Sequence, residues 1–122
     1  MLHTYTETSM PKPLSEFARF CIDILSPYGD ITIRSMMGGY ALYNHRIIFA
    51  TIARETLYFK VDETTIPHFK KAGCMPFVYE KNGKKYEMKY YTVPHEALES
   101  PTQLQVFFDL AWEVAQKARK KA

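Results

Sequence analysis

Cysteine is scarce in this 122-residue chain: Cys21 and Cys74 stand far apart, outside any C-x-x-C pair and away from histidine at metal-ligand spacing. A disulfide framework and a zinc site built on cysteine pairs are therefore excluded, and two free thiols are expected. Long hydrophobic runs are missing too, since no stretch approaches the roughly 20 apolar residues that a membrane span needs. The start of the chain, with His3, Thr4, Thr6, Glu7 and Thr8, has neither a basic opening nor an apolar core, so it does not read as a signal peptide. These absences point to the cytoplasm and to no membrane partner. No internal repeat or low-complexity tract interrupts the chain.

The signatures of catalysis are equally sparse. His3, His45, His68 and His95 show no i, i+4 pairing and no HExxH pattern, which gives no basis for a metal. No GxSxG elbow is present, and no serine or cysteine stands in a context that would activate it as a nucleophile. Gly38-Gly39 lacks the GxxxxGK[ST] spacing of a phosphate loop, and its flanks read as strands, so it marks a bend in a sheet. No cofactor is expected. Cys74 follows Gly73 at a predicted helix end, where the negative end of the dipole disfavours a thiolate, and Cys21 lies on an apolar helix stripe; both read as packing residues.

What the chain does have is apolar and aromatic mass. It is 47% hydrophobic and 15% aromatic, enough for one compact domain and too little for a second core. Residues 1–13, which end in Pro11 and Pro13 and lack apolar periodicity, read as a flexible arm; residues 14–122 read as one domain. Sixteen basic and thirteen acidic side chains leave a formal charge of +3, well short of a dedicated nucleic-acid binder.

The periodicities set out an order of elements. Ser15 caps a helix in which Phe17, Phe20, Cys21, Ile24 and Leu25 face inward, and Pro27 to Gly29 stop it. Strand signals follow at 31–36 and 40–43, joined at Gly38-Gly39. Asn44-His45 is read as a tight turn into a strand over 46–53, and Arg54-Glu55 as the turn into a strand over 56–61, with Leu57, Phe59 and Val61 on one face. Residues 62–72 read as a short helix with Thr64 as cap, Ile66 and Phe69 inward and Gly73 at its end. Asn82-Gly83 is the strongest hairpin signal, between strands at 77–81 and 84–91. Ser100-Pro101 then opens a last helix whose stripe is Leu104, Phe107, Phe108, Ala111, Trp112, Ala115 and Ala118.

Two surfaces attract a partner. Lys84, Lys85 and Lys89 interleave with Tyr86, Tyr90 and Tyr91, and with the basic C-terminus they are the candidate nucleic-acid contact. Strand alternation divides these lysines: Lys85, Glu87 and Lys89 fall on one face, Lys84, Tyr86, Met88 and Tyr90 on the other. Met10, Met36, Met37, Met75 and Met88, with nine tyrosines and eight phenylalanines, supply soft apolar surface suited to an interface, and a homodimer is expected.

The run Arg34-Ser35-Met36-Met37-Gly38-Gly39-Tyr40, the strand Leu57 to Asp62, Phe69 to Gly73 followed by Pro76-Phe77, and Met88-Tyr90-Tyr91 with Pro94 together resemble the N-terminal domain of TfoX/Sxy-type proteins over about residues 14–117. Met37 stands where that family is expected to carry phenylalanine. The resemblance implies an α+β domain with an antiparallel sheet packed by helices, in the secretion-chaperone-like order α-β(3)-α-β(2)-α, strands at 31–43 counting as one bent element. It implies a non-enzymatic regulatory or protein-interaction module standing alone, without the second, C-terminal domain of the regulators that promote natural competence in concert with the cyclic AMP receptor protein. A protein of the transcription apparatus is the implied partner, and Arg34, Met36, Gly38, Gly39 and Tyr40 are the matching signature. The alternatives are a weak DNA-associated accessory factor and an unrecognised small-ligand binder or enzyme.

Overall fold

The computed structural model describes residues 14–36 and 38–121. The expected arm over 1–13, and Met37 with its place in the glycine run, lie outside the described residues. Helix α1 (Glu16–Leu25) opens as expected on Ser15, whose hydroxyl oxygen accepts from the Ala18 backbone N–H at 3.1 Å and satisfies a donor that a helix start leaves bare. Its fully buried stripe is Ala18, Cys21 and Leu25, at helical spacing. Phe20, expected inside, is 40% exposed: it lies off that stripe, its ring tilted against that of Phe17 at 6.2 Å between centroids. A 3-10 turn, Ser26–Tyr28, ends the helix, and the Tyr28 hydroxyl donates to the Pro101 carbonyl at 2.9 Å.

Four strands follow, β1 (Ile31–Met36), β2 (Gly39–Asn44), β3 (Ile47–Ala53) and β4 (Thr56–Lys60). After helix α2 (Ile66–Lys71) come β5 (Pro76–Lys81) and β6 (Lys84–Thr92), then a 3-10 turn at His95–Glu99 and helix α3 (Pro101–Lys121). The strands form one antiparallel sheet in the order β1-β2-β3-β4-β6-β5. The α+β class with an antiparallel sheet is as the sequence implies, but residues 31–43 are not one bent element. The chain reverses at Gly38, whose φ of 85° suits a turn, and β1 pairs back on β2 from Ile31↔Asn44 to Met36↔Gly39, so four strands precede α2.

Two more boundaries move for physical reasons. The β2–β3 turn is His45-Arg46, with φ of 50° and 69°, and not Asn44-His45. Asn44 is kept in the sheet because its buried side-chain oxygen accepts from the Asp30 N–H at 2.9 Å. Helix α2 starts after Thr65, not Thr64, because Asp62 holds residues 62–65 in a turn. Its Oδ1 accepts from the Thr64 N–H (2.9 Å), the Thr64 hydroxyl (2.7 Å) and the Thr65 N–H (3.2 Å). Pro67 sits in the first turn, where its missing donor costs little, and Gly73 (φ 82°) closes the helix with Cys74 N–H bonded to the Phe69 carbonyl and Gly73 N–H to that of Lys70.

Register sorts the sheet into two faces. The row Ile33, Leu42, Ala50, Phe59, Tyr91 runs across five strands, every member buried. Between Leu42 and Tyr43 the pairing slips, so β3 carries one extra residue; Phe49 joins Ala50 on the same face and meets Phe59 at 5.8 Å and Phe108 at 5.2 Å. Helix α3 lies against β3 and β4, α1 against β1 and α2 against β6, and the buried cluster they share with the sheet is the core. Leu104 and Phe108 of α3 are 2% exposed, each contributing about 1.5–3 kcal/mol of burial before entropy is subtracted. Ala111 and Ala115 continue the stripe and Val114 widens it, while Phe107 and Trp112 are half-buried and Ala118 is exposed.

Candidate interaction surface

The neighbouring row, Arg34, Ala41, Thr51, Tyr58, Thr92, turns to the opposite face of the sheet, away from the core that the described helices share. Alternation adds Met36 at one end of the strands and Thr32, Tyr43, Ile48, Lys60 and Tyr90 at the other. Beyond Tyr90 only β5 pairs with β6, so the β5–β6 hairpin projects past the sheet and residues 80–89 are exposed throughout. Phe77, Tyr79 and Lys81 of β5 and Lys84, Tyr86 and Met88 of β6 extend the same face.

Side chains on this face engage one another. The Arg34 guanidinium lies 5.9 Å from the Tyr43 ring centroid and the Lys60 ammonium 5.6 Å from that of Tyr90. Tyr58 and Phe77 meet at 4.9 Å, and Tyr79 stacks on its cross-strand partner Tyr86 at 5.3 Å. Burial pushes the Tyr90 phenol up to about 12, with Tyr43 adding to the effect, and burial lowers the Lys60 pKa from its ordinary value. Small residues sit at the centre: Ala41 and Thr51 are buried in the row between Arg34 and Tyr58, and the Thr51 hydroxyl is buried without a hydrogen-bond partner among the described residues. None of the strand residues that share this face is acidic.

The expected signature residues do not converge. Arg34 and Met36, both exposed, lie on this face; Tyr40 lies on the core side, half-buried, where its hydroxyl accepts from the Ser15 N–H at 3.2 Å and anchors the start of α1. Gly38 forms the turn and Gly39 packs against β3. The three lysines separate as alternation requires: Lys84 shares the aromatic face with Tyr86, whereas Lys85 and Lys89 lie on the other side of the hairpin, with Lys85 opposite Glu80 and Glu87 between the two lysines. Tyr43, Tyr58, Lys60, Phe77 and Tyr79 were not singled out from the sequence. The signal for them is the i, i+2 alternation of aromatic and basic residues opposite the apolar positions of the same strands.

Both thiols are free and buried. Burial pushes Cys21 up to about 12, and burial raises Cys74 too, with a Thr92 hydrogen bond opposing and Glu96 adding to the rise. Among the described residues no three of His, Cys, Asp and Glu gather as metal ligands, and no helix is long and apolar enough to cross a membrane. Among curated proteins none matches the chain. The family model of the TfoX N-terminal domain matches residues 23–115, which span the end of α1, the whole sheet, α2 and most of α3.

Proposed function

Because this chain belongs to the TfoX N-terminal domain family, we propose that it is a non-enzymatic regulatory module of the cytoplasm whose aromatic and basic sheet face binds an acidic protein of the transcription apparatus. The carrying observation is that face: tyrosines, methionines and an arginine, the composition of binding hot spots, with cations and no carboxylate among the strand residues that share it. A face-to-face pair of identical copies would oppose like charges, which favours an acidic partner over a second copy there. The ring faces of Tyr43, Tyr79, Tyr86 and Tyr90 are already occupied by a cation or another ring, which suits the edge and hydroxyl contacts of a protein interface better than base stacking. Alternation sets Lys84 on one side of the hairpin and Lys85 and Lys89 on the other, where Glu80 and Glu87 accompany them, so the hairpin has no continuous phosphate track through the three lysines.

The test is capture from the native cell extract with the wild type, an Arg34→Glu/Tyr86→Glu variant and a Glu113→Lys variant on the exposed side of α3. The reading requires an acidic protein that is retained by the wild type and Glu113→Lys and lost from the sheet-face variant. Equal capture by all three refutes it. Light scattering that showed a wild-type dimer dissociated by the sheet-face changes would make a second copy the occupant instead.

A further inference from the structure

At the edge of this sheet face the last turns of α3 meet the ends of β2, β3 and β4. There the fold leaves a pocket of about 300 Å³ that opens broadly to solvent, at the small end of the range for ligand sites. Ile47, Ile48, Ala115 and Ala118 give it an apolar wall. Its polar lining is Tyr43, Arg46, Lys60 and Arg119, contributed by a strand, a turn, a second strand and a helix. None of the lining residues is acidic. One cation near a helix C-terminus is explained by the dipole, and Arg119 alone would need nothing more. The dipole does not explain why Arg46 and Lys60 are brought to the same cavity from the turn and the far strand. Arg46 and Arg119 are exposed and Lys60 is half-buried, so the three cations make one positive rim that an entering anion would neutralise.

Lys60 sharpens the case. It is half-buried, and its close partner on the aromatic face is the Tyr90 ring rather than a carboxylate. The nearby acid Asp62 is committed elsewhere, to Thr64 and Thr65 by hydrogen bonds and to Lys117 by charge. Two guanidinium forks and an ammonium match the several oxygens of a phosphate, which accepts bidentate bonds from arginine and a point contact from lysine. The apolar wall matches an organic body attached to it.

We infer that this cavity binds a small organic phosphate monoester, its phosphate on Arg46, Lys60 and Arg119 and its apolar part against Ile47, Ile48, Ala115 and Ala118. The pocket shares Tyr43, Ile48 and Lys60 with the edge of the protein-binding face, but titration with a small probe reads it without the protein partner. The test is titration of the ¹⁵N-labelled protein with phenyl phosphate, inorganic phosphate and benzyl alcohol as separate probes, at low and high salt. Phenyl phosphate should shift the amides of Arg46 to Ile48 and of Ala115 to Arg119 saturably and bind about tenfold more tightly than either other probe, with affinity falling as salt rises. Lys60→Met and Arg46→Gln should each weaken it about tenfold while leaving the rest of the spectrum in place. Absence of a saturable shift at millimolar phenyl phosphate, or unchanged affinity in both variants, overturns the site. Equal binding of inorganic phosphate overturns the role of the apolar wall.

Discussion

The backbone of Gly39 lies so close to the Ile52 carbonyl oxygen of β3 that a methyl group on Gly39 would clash with it, with the Ala53 α-carbon directly behind. Its neighbour Gly38 has open space around it but a φ of 85°, which an L side chain rarely adopts. The paired glycines of the signature therefore serve two different mechanical needs, close approach of strands and reversal of the chain, and neither requires a ligand. Gly39→Ala should destabilise the fold by about 2–3 kcal/mol, since the clash is with backbone that cannot rotate away. Gly38→Ala should cost about 1–2 kcal/mol from the left-handed conformation alone. Urea unfolding of the two variants separates these costs; equal midpoints would show that strand approach at Gly39 is unimportant.

Asp62 links the end of β4 to the start of α2, and its titration has a definite sign. Burial works to raise its pKa, but the hydrogen bonds from the Thr64 side chain, the Thr64 and Thr65 backbone, and the charge of Lys117 outweigh it, and the net shift is downward. A carboxyl held below its unfolded pKa contributes its full stability above the ordinary carboxylate range and loses it as pH falls through the lowered folded value. Asp62→Ala should cost about 1–2 kcal/mol at neutral pH, and the difference from wild type should shrink as the solution is acidified. Thermal unfolding at a series of pH values checks this; a gap that stays constant down to strongly acid pH would deny the carboxylate its role.

Much of the fold was legible because alternation is a rigid code in strands. Leu57, Phe59 and Val61 announced a buried face, and the same alternation puts Tyr58 and Lys60 on the opposite one, although nothing in the sequence alone marked that face as an interaction surface. Arg54-Glu55 was readable as a turn from its place between two such patterns, and it has the left-handed φ values of 51° and 58° that the pairing needs. What alternation does not reveal is the partner of each strand. The bulge that puts Phe49 and Ala50 on one face, the burial of Asn44 by its bond to Asp30, and the meeting of Arg46, Lys60 and Arg119 all depend on contacts between segments distant in sequence. The signature run was legible as a pattern, yet its residues split between the two faces because consecutive strand positions must.

Thr51 offers the most direct probe of the exposed face. It stands in the middle of β3 between Ala41 and Tyr58, 6% exposed, and its hydroxyl finds no hydrogen-bond partner among the described residues. A buried hydroxyl that has given up water without replacement costs roughly 1–3 kcal/mol, and valine keeps the β-branched shape that a central strand prefers while removing that group. Thr51→Val should therefore raise the stability of the free protein by about 1 kcal/mol, with an unchanged urea m-value, because the same surface is exposed on unfolding. A loss of stability in the free variant would mean that the hydroxyl is already satisfied and that the face is organised differently at its centre.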